Sequence, residues 1–202
     1  TSKLRLPTPA GFTIGVDACR VLDTTSVTEG FTAALDNAIA RLEKETGRGL
    51  GDADNPLLLA VRSGASVSMP GMMETILNVG VTPLTLPALS DMTGNHAFAL
   101  DSYQRFLEGF CKSILRIDHS VLDAQMQANE ELADHTELLE TLVSGKIGAE
   151  SLCDTRYLLD QCIHAVIRSS HSSTAQAYRE KTGLPDSLGT AVTVQAMVFG
   201  NK

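Results

Sequence analysis

The sequence contains no tryptophan, and aromatic residues make up only 4% of it. Any core must therefore be aliphatic, packed by Leu, Val, Ile and Met. Excess positive charge is missing too. With 16 Lys and Arg against 24 Asp and Glu, the net charge is −8, which argues against a nucleic-acid or anionic-membrane partner. It does not argue against a phosphate ligand, since a few local donors can hold one in an acidic protein. The four cysteines, Cys19, Cys111, Cys153 and Cys162, include no C-x-x-C pair. Neither a disulfide framework nor a zinc site is signalled, and a reducing cytoplasm is the expected setting. The five histidines show no metal-ligand spacing such as H-E-x-x-H, so no metal ligands are assigned. No apolar run reaches membrane-spanning length, and the opening "TSKLRLPTPAGFTIG" lacks the apolar stretch of a signal peptide. Internal repeats and low-complexity segments are absent as well.

What is there is a chain of 202 residues, 43% of them hydrophobic, enough for one domain or somewhat more. Phe12 to Ile14 reads as a short strand. Ser26-Val27-Thr28-Glu29 fits a capping box ahead of a helix carried by Phe31, Ala34, Leu35, Ala38, Ile39 and Leu42. Gly47 supplies a left-handed stop, and "GRGLG" at 47–51 reads as that stop and a turn, since it does not open a helix. Leu57 to Val61 suits a buried strand ending at Arg62. For Met72 to Val79, periodicity does not decide between helix and strand. Tyr103, Phe106, Leu107, Phe110 and Ile114 mark an amphipathic helix. Residues 118–145 are acidic and read as a solvated helical excursion. Leu158, Leu159, Cys162, Ile163, Val166 and Ile167 mark another helix, with Cys162 and His164 as structural residues. Ser172-Ser173-Thr174 caps the next, which stops at Gly183. In "TAVTVQAMVF" alternation puts Thr193, Gln195 and Met197 on one face of a strand. The sequence stops soon afterwards, so this strand is expected to keep one edge unpaired. An exposed apolar edge points to pairing across a symmetric homodimer.

The stretch "LLLAVRSGASVSMPGMMET" raises the chemical question. Glycines let backbone N–H groups approach an anion closely, hydroxyls add donors and Arg62 adds permanent charge. Arg62, Ser63, Gly64, Ser66, Ser68 and Gly71 together are suited to a polyphosphate. The same composition also fits an ordinary surface loop whose arginine pairs with a nearby carboxylate. Met69, Met72 and Met73 fit either a planar ligand or adaptable core filling.

The segment "VRSGASVSMPGMMETILNVG" closely resembles the V-R-S-G-A-x-x-S-M-P-G-M-M-D-T signature of the pyruvate, phosphate dikinase family. Phosphoenolpyruvate synthases and other phosphoenolpyruvate-utilising relatives share the start but not the M-P-G-M-M run. "LPTPAGFTIGVDAC", "TGNHAFALDSYQRFLEGF" and "AYREKTGLPDSLGTAVTVQAMVFGN" resemble further dikinase blocks in the same order. The match covers most of 6–110 and 164–201.

The resemblance implies an α+β fold, the first lobe of an ATP-grasp nucleotide-binding region with a helical segment. The implied division is an α/β lobe over 1–110, a mainly helical segment over 111–190 and a strand over 191–202 leading into a second lobe. It implies ATP and Mg2+ as ligands and Arg62 as the residue meeting the nucleotide phosphates. Ser63, Gly64, Ser68 and Gly71 would border that site, with Gln195 and Met197 as nucleotide-lining residues; no catalytic residue is assigned. Family chemistry transfers phosphoryl from ATP to an enzyme histidine on the way to phosphoenolpyruvate. The family's G-G-K-G-A-N-L segment, metal-binding second lobe, T-x-H phosphohistidine motif and phosphoenolpyruvate-binding barrel have no counterpart in these residues. The expectation is thus a partial ATP- and phosphate-binding domain, inactive alone, its second lobe supplied by another domain or chain. Glu74 stands at a usual Asp, Ala97 at a usual Arg, and Ser169-Ser170-His171-Ser172 at a common S-W-N-S. Those departures leave open a stand-alone, non-catalytic binding or assembly module.

Overall fold

The computed structural model describes residues 8–24, 28–64, 71, 73–118, 120, 122, 132–185 and 189–199. Helices and a small antiparallel sheet make it an α+β arrangement. The elements run β1 (Gly11–Ile14), α1 (Val16–Thr24), α2 (Glu29–Thr46), β2 (Leu59–Gly64), β3 (Thr75–Val79), α3 (Leu86–Thr93) and α4 (His96–Ser113). There follow α5 (Leu132–Ile147), α6 (Ala149–Cys153), α7 (Thr155–Ser169), α8 (Ser173–Thr182) and β4 (Ala191–Ala196).

Local chemistry sets the helix ends. Thr28 caps α2, its Oγ1 accepting the Phe31 N–H at 3.3 Å. This is the correction to the capping box, whose Ser26 lies outside the described residues. Gly47 closes α2 at φ 68° and donates its N–H to Glu43 O at 2.8 Å, the left-handed stop that glycine favours. Asn95 caps α4, Asp154 caps α7 and Ser172 caps α8, each accepting an N–H three residues on.

The four strands lie in the order β1-β4-β2-β3, all neighbours antiparallel. The strand over 191–196 therefore does not have an unpaired edge. β4 is internal, with β1 on one side and β2 on the other, and the edge strands are β1 and β3. Chain order misled the expectation: the partner of β4 comes from the N-terminal part of the chain, not from a strand still to follow. The reason given for a dimer disappears with it.

One face of the sheet is covered. Ile14, Leu59, Val61, Ile76, Val192 and Val194 are buried there, beneath α7, which packs on β2, β3 and β4, and α4, which packs on β3. Tyr103, Phe106, Leu107 and Phe110 of α4 are fully buried. The other described helical segment, α5, is not a solvated excursion: Leu139 and Val143 are fully buried where α5 packs on α4. Tyr103 also donates its hydroxyl to Glu140 Oε2 at 3.2 Å across that contact. Among the described residues no helix is long and apolar enough to cross a membrane.

Candidate functional site

Side chains alternate along a strand, so β2 sends Leu59, Val61 and Ser63 to the covered face and Arg62 and Gly64 to the open one. β2 runs on to Gly64 and does not end at Arg62. Pairing then assembles a row across the open face. Thr13 pairs with Thr193, Thr193 with Arg62, and Arg62 with Thr75. The Thr13 and Thr193 hydroxyls are 3.2 Å apart. Arg62 is exposed and has no ion pair or side-chain hydrogen bond with any described residue. The expectation of a carboxylate partner finds no support among those residues. A permanent cation flanked by hydroxyls is suited to phosphate oxygens, which a guanidinium can take two at a time.

Gly64 follows on the same face. A Cβ built there would come no closer than 3.7 Å to Thr193 Oγ1 and 3.8 Å to Ala191 Cβ, so packing does not require glycine. Its missing side chain leaves the backbone open one step from Arg62. Ser63, half-buried, lies on the opposite face, and Ser68 lies outside the described residues. Gly71, at φ 73°, lines a cleft that none of Arg62, Ser63 and Gly64 lines.

Gln195 lies on the open face opposite Ala60 and Gly11, donating Nε2–H to Pro9 O at 3.1 Å. Met197 lies beyond the end of β4, its Sδ accepting the Asn78 N–H at 3.1 Å. It lines a groove of about 310 Å³ with Pro9, Arg48 and Phe199. Met197 is therefore outside the Arg62 row. Thr13, Thr75 and Thr193 are the residues that sequence reasoning missed as a group. The alternation in "GFTI" and "TAVTVQ" places each threonine on a face, but only the register puts them beside Arg62.

Three of the cysteines, Cys19, Cys111 and Cys162, are core residues, and burial pushes the Cys111 thiol up to about 11 and that of Cys162 higher. Burial, and then Arg168, lowers the pKa of His164, in keeping with a structural histidine. Among the described residues no three His, Cys, Asp or Glu side chains converge as a metal ion needs.

Residues 22–202 match a family model described as the AMP/ATP-binding domain of pyruvate phosphate dikinase. The chain is 39% identical over 215 residues to the pyruvate, phosphate dikinase of Rickettsia conorii, covering 99% of this chain and 24% of the relative. Against that of Giardia intestinalis identity is 38% over 214 residues, covering 98% and 24%. Against that of Clostridium symbiosum it is 33% over 216 residues, covering 98% and 25%. The chain thus spans about a quarter of the length of these relatives.

Proposed function

Because the chain belongs to the family of pyruvate phosphate dikinase AMP/ATP-binding domains, we propose that it holds an adenine nucleotide by its phosphates on the open sheet face. Arg62 is the anchoring cation and Thr13, Thr75 and Thr193 are the flanking donors. One observation carries this reading: an exposed arginine without a described partner stands amid hydroxyls on a face that no described helix covers. The fold is read as the first lobe of an ATP-grasp site, with an α/β part over 1–110, a helical part over 111–190 and a strand from which the chain passes to the second lobe. That lobe comes from the rest of a longer polypeptide or from a separate chain, and it brings the groups that hold Mg2+.

The reaction served is phosphoryl transfer from ATP to an enzyme histidine, en route to phosphoenolpyruvate. Such chemistry depends on positioning and on neutralising phosphate charge, and Arg62 contributes to both. None of His96, His119, His135, His164 and His171 follows a threonine at the T-x-H spacing, so these 202 residues do not complete the reaction unaided.

Titration calorimetry with Mg-ATP tests the reading. With one wall of the site, the chain should bind with a dissociation constant weaker than micromolar. A charged hydrogen bond contributes about 1.5–3 kcal/mol, so Arg62→Ala should weaken binding by about tenfold or more. Micromolar or tighter affinity would contradict the incomplete wall. An affinity unmoved by Arg62→Ala would remove Arg62 from the site.

A further inference from the structure

β3 is an edge strand: β2 pairs with it on one side, and no described strand lies on the other. Its two ends are tied to helices instead. At the far end Asn78 is buried in a left-handed conformation, φ 59°. Its Nδ2–H donates to Ser102 O of α4 at 3.0 Å, and its N–H donates to Met197 Sδ at 3.1 Å. At the near end Glu74, the residue before Thr75, is tied twice. Its N–H donates to Oγ of Ser169, the last residue of α7, at 3.1 Å. Its Oε2 accepts the hydroxyl of Ser113, the last residue of α4, at 3.0 Å.

Of these ties, the one from Ser169 is the most firmly supported. Ser169 is buried, and its hydroxyl donates back along α7 to Val166 O at 2.7 Å. That bond fixes the direction of the hydroxyl and leaves a lone pair for the Glu74 N–H. Val166 is itself fully buried in the core, so the acceptor stands on a closely packed support. One residue on, Thr75 pairs with Arg62. An edge strand has ladder bonds on one side only, and its start frays unless something outside the sheet holds it.

We propose that Ser169 is a positioning residue for the nucleotide site: by accepting the Glu74 N–H it holds Thr75 in register beside Arg62, so that both present donors to the same phosphate. This role rests on the nucleotide reading above. Ser169 acts from the helical side of the sheet, whereas Arg62 and Thr75 face the open side, so it works through the backbone of β3 and touches no ligand. Glu74 is exposed, so water takes its N–H when the serine hydroxyl is removed. The loss is then local, at the start of β3, and does not leave a buried donor unpaired.

The test compares the isotope-labelled full chain with Ser169→Ala and Ser169→Thr, reading native-state hydrogen exchange and Mg-ATP titration amide by amide. In Ser169→Ala the Glu74 amide should exchange faster, and Mg-ATP affinity should fall roughly threefold to tenfold, the span of one neutral hydrogen bond. The Mg-ATP shift of Thr75 should shrink while Thr13 and Thr193 keep theirs, a split that a general loss of stability would not produce. Ser169→Thr, which keeps the hydroxyl, should restore all three readouts; Ser169→Cys, close to serine in size but a weaker acceptor, should fall between. If the wild-type row responds to Mg-ATP and Ser169→Ala matches it in affinity and at Thr75, this role is overturned and the nucleotide reading stands. Equal losses at Thr13, Thr75 and Thr193, or failure of both hydroxyl- and thiol-bearing variants to improve on alanine, also overturn it. A wild-type row that ignores Mg-ATP overturns the nucleotide reading, and this role with it.

Discussion

Arg62 is accessible because of its parity in β2. One position earlier or later it would lie among Val61, Val194 and Val192, where a charge without a partner is costly to bury. Its neighbour Gly64 makes a sharper test of the open face. A Cβ there meets only ordinary contacts, so Gly64→Ala should change thermal stability little. If phosphates approach the backbone beside Arg62, the same methyl group should weaken Mg-ATP binding several-fold. Equal affinity with equal stability would mean that the ligand stays away from this end of β2. The V-R-S-G run reads in the sequence as a candidate phosphate site or an ordinary surface loop. The threonines that complete the row are not legible there, since they come from strands far apart in the chain.

At the scale of elements, the helices were read most reliably, because caps and apolar spacing are local signals. Gly47 and Gly183 stop α2 and α8, at φ 68° and 69°, and Ser172 supplies the cap expected of its serine-rich turn. The segment that became α5 was misread because the acidic, polar character of 118–145 as a whole was weighed above the apolar positions within 132–147. Its buried apolar positions, Leu139 and Val143, are one turn apart on the side facing α4. Leu139→Ala should therefore cost about 2–5 kcal/mol in denaturant unfolding, the range for emptying a fully buried leucine site. A loss below about 0.5 kcal/mol, typical of surface positions, would show that α5 does not pack there.

For the whole molecule, the decisive feature is the place of β4. Alternation identified it as a strand, but register and neighbours are set by long-range pairing, which no local pattern encodes. Lying between β1 and β2, it ties the first strand of the chain to the middle of the sheet. Native-state hydrogen exchange should find the amides of Val192 to Ala196 more protected than those of β1, which has a partner on one side only. Exchange of β4 at the rate of an edge strand would contradict the topology. The sheet that results has one face packed under helices and one face carrying Thr13, Thr193, Arg62 and Thr75.

That division of the sheet makes the central claim directly measurable: an adenine nucleotide lies on the open face, with its phosphates at Arg62. Amide shift mapping of the labelled chain during addition of Mg-ATP reads both faces at once. The account predicts that the largest shifts fall at Thr13, Arg62, Gly64, Thr75 and Thr193, and that they collapse in Arg62→Ala. Shifts confined to residues away from that row, or undiminished without the Arg62 guanidinium, would contradict it.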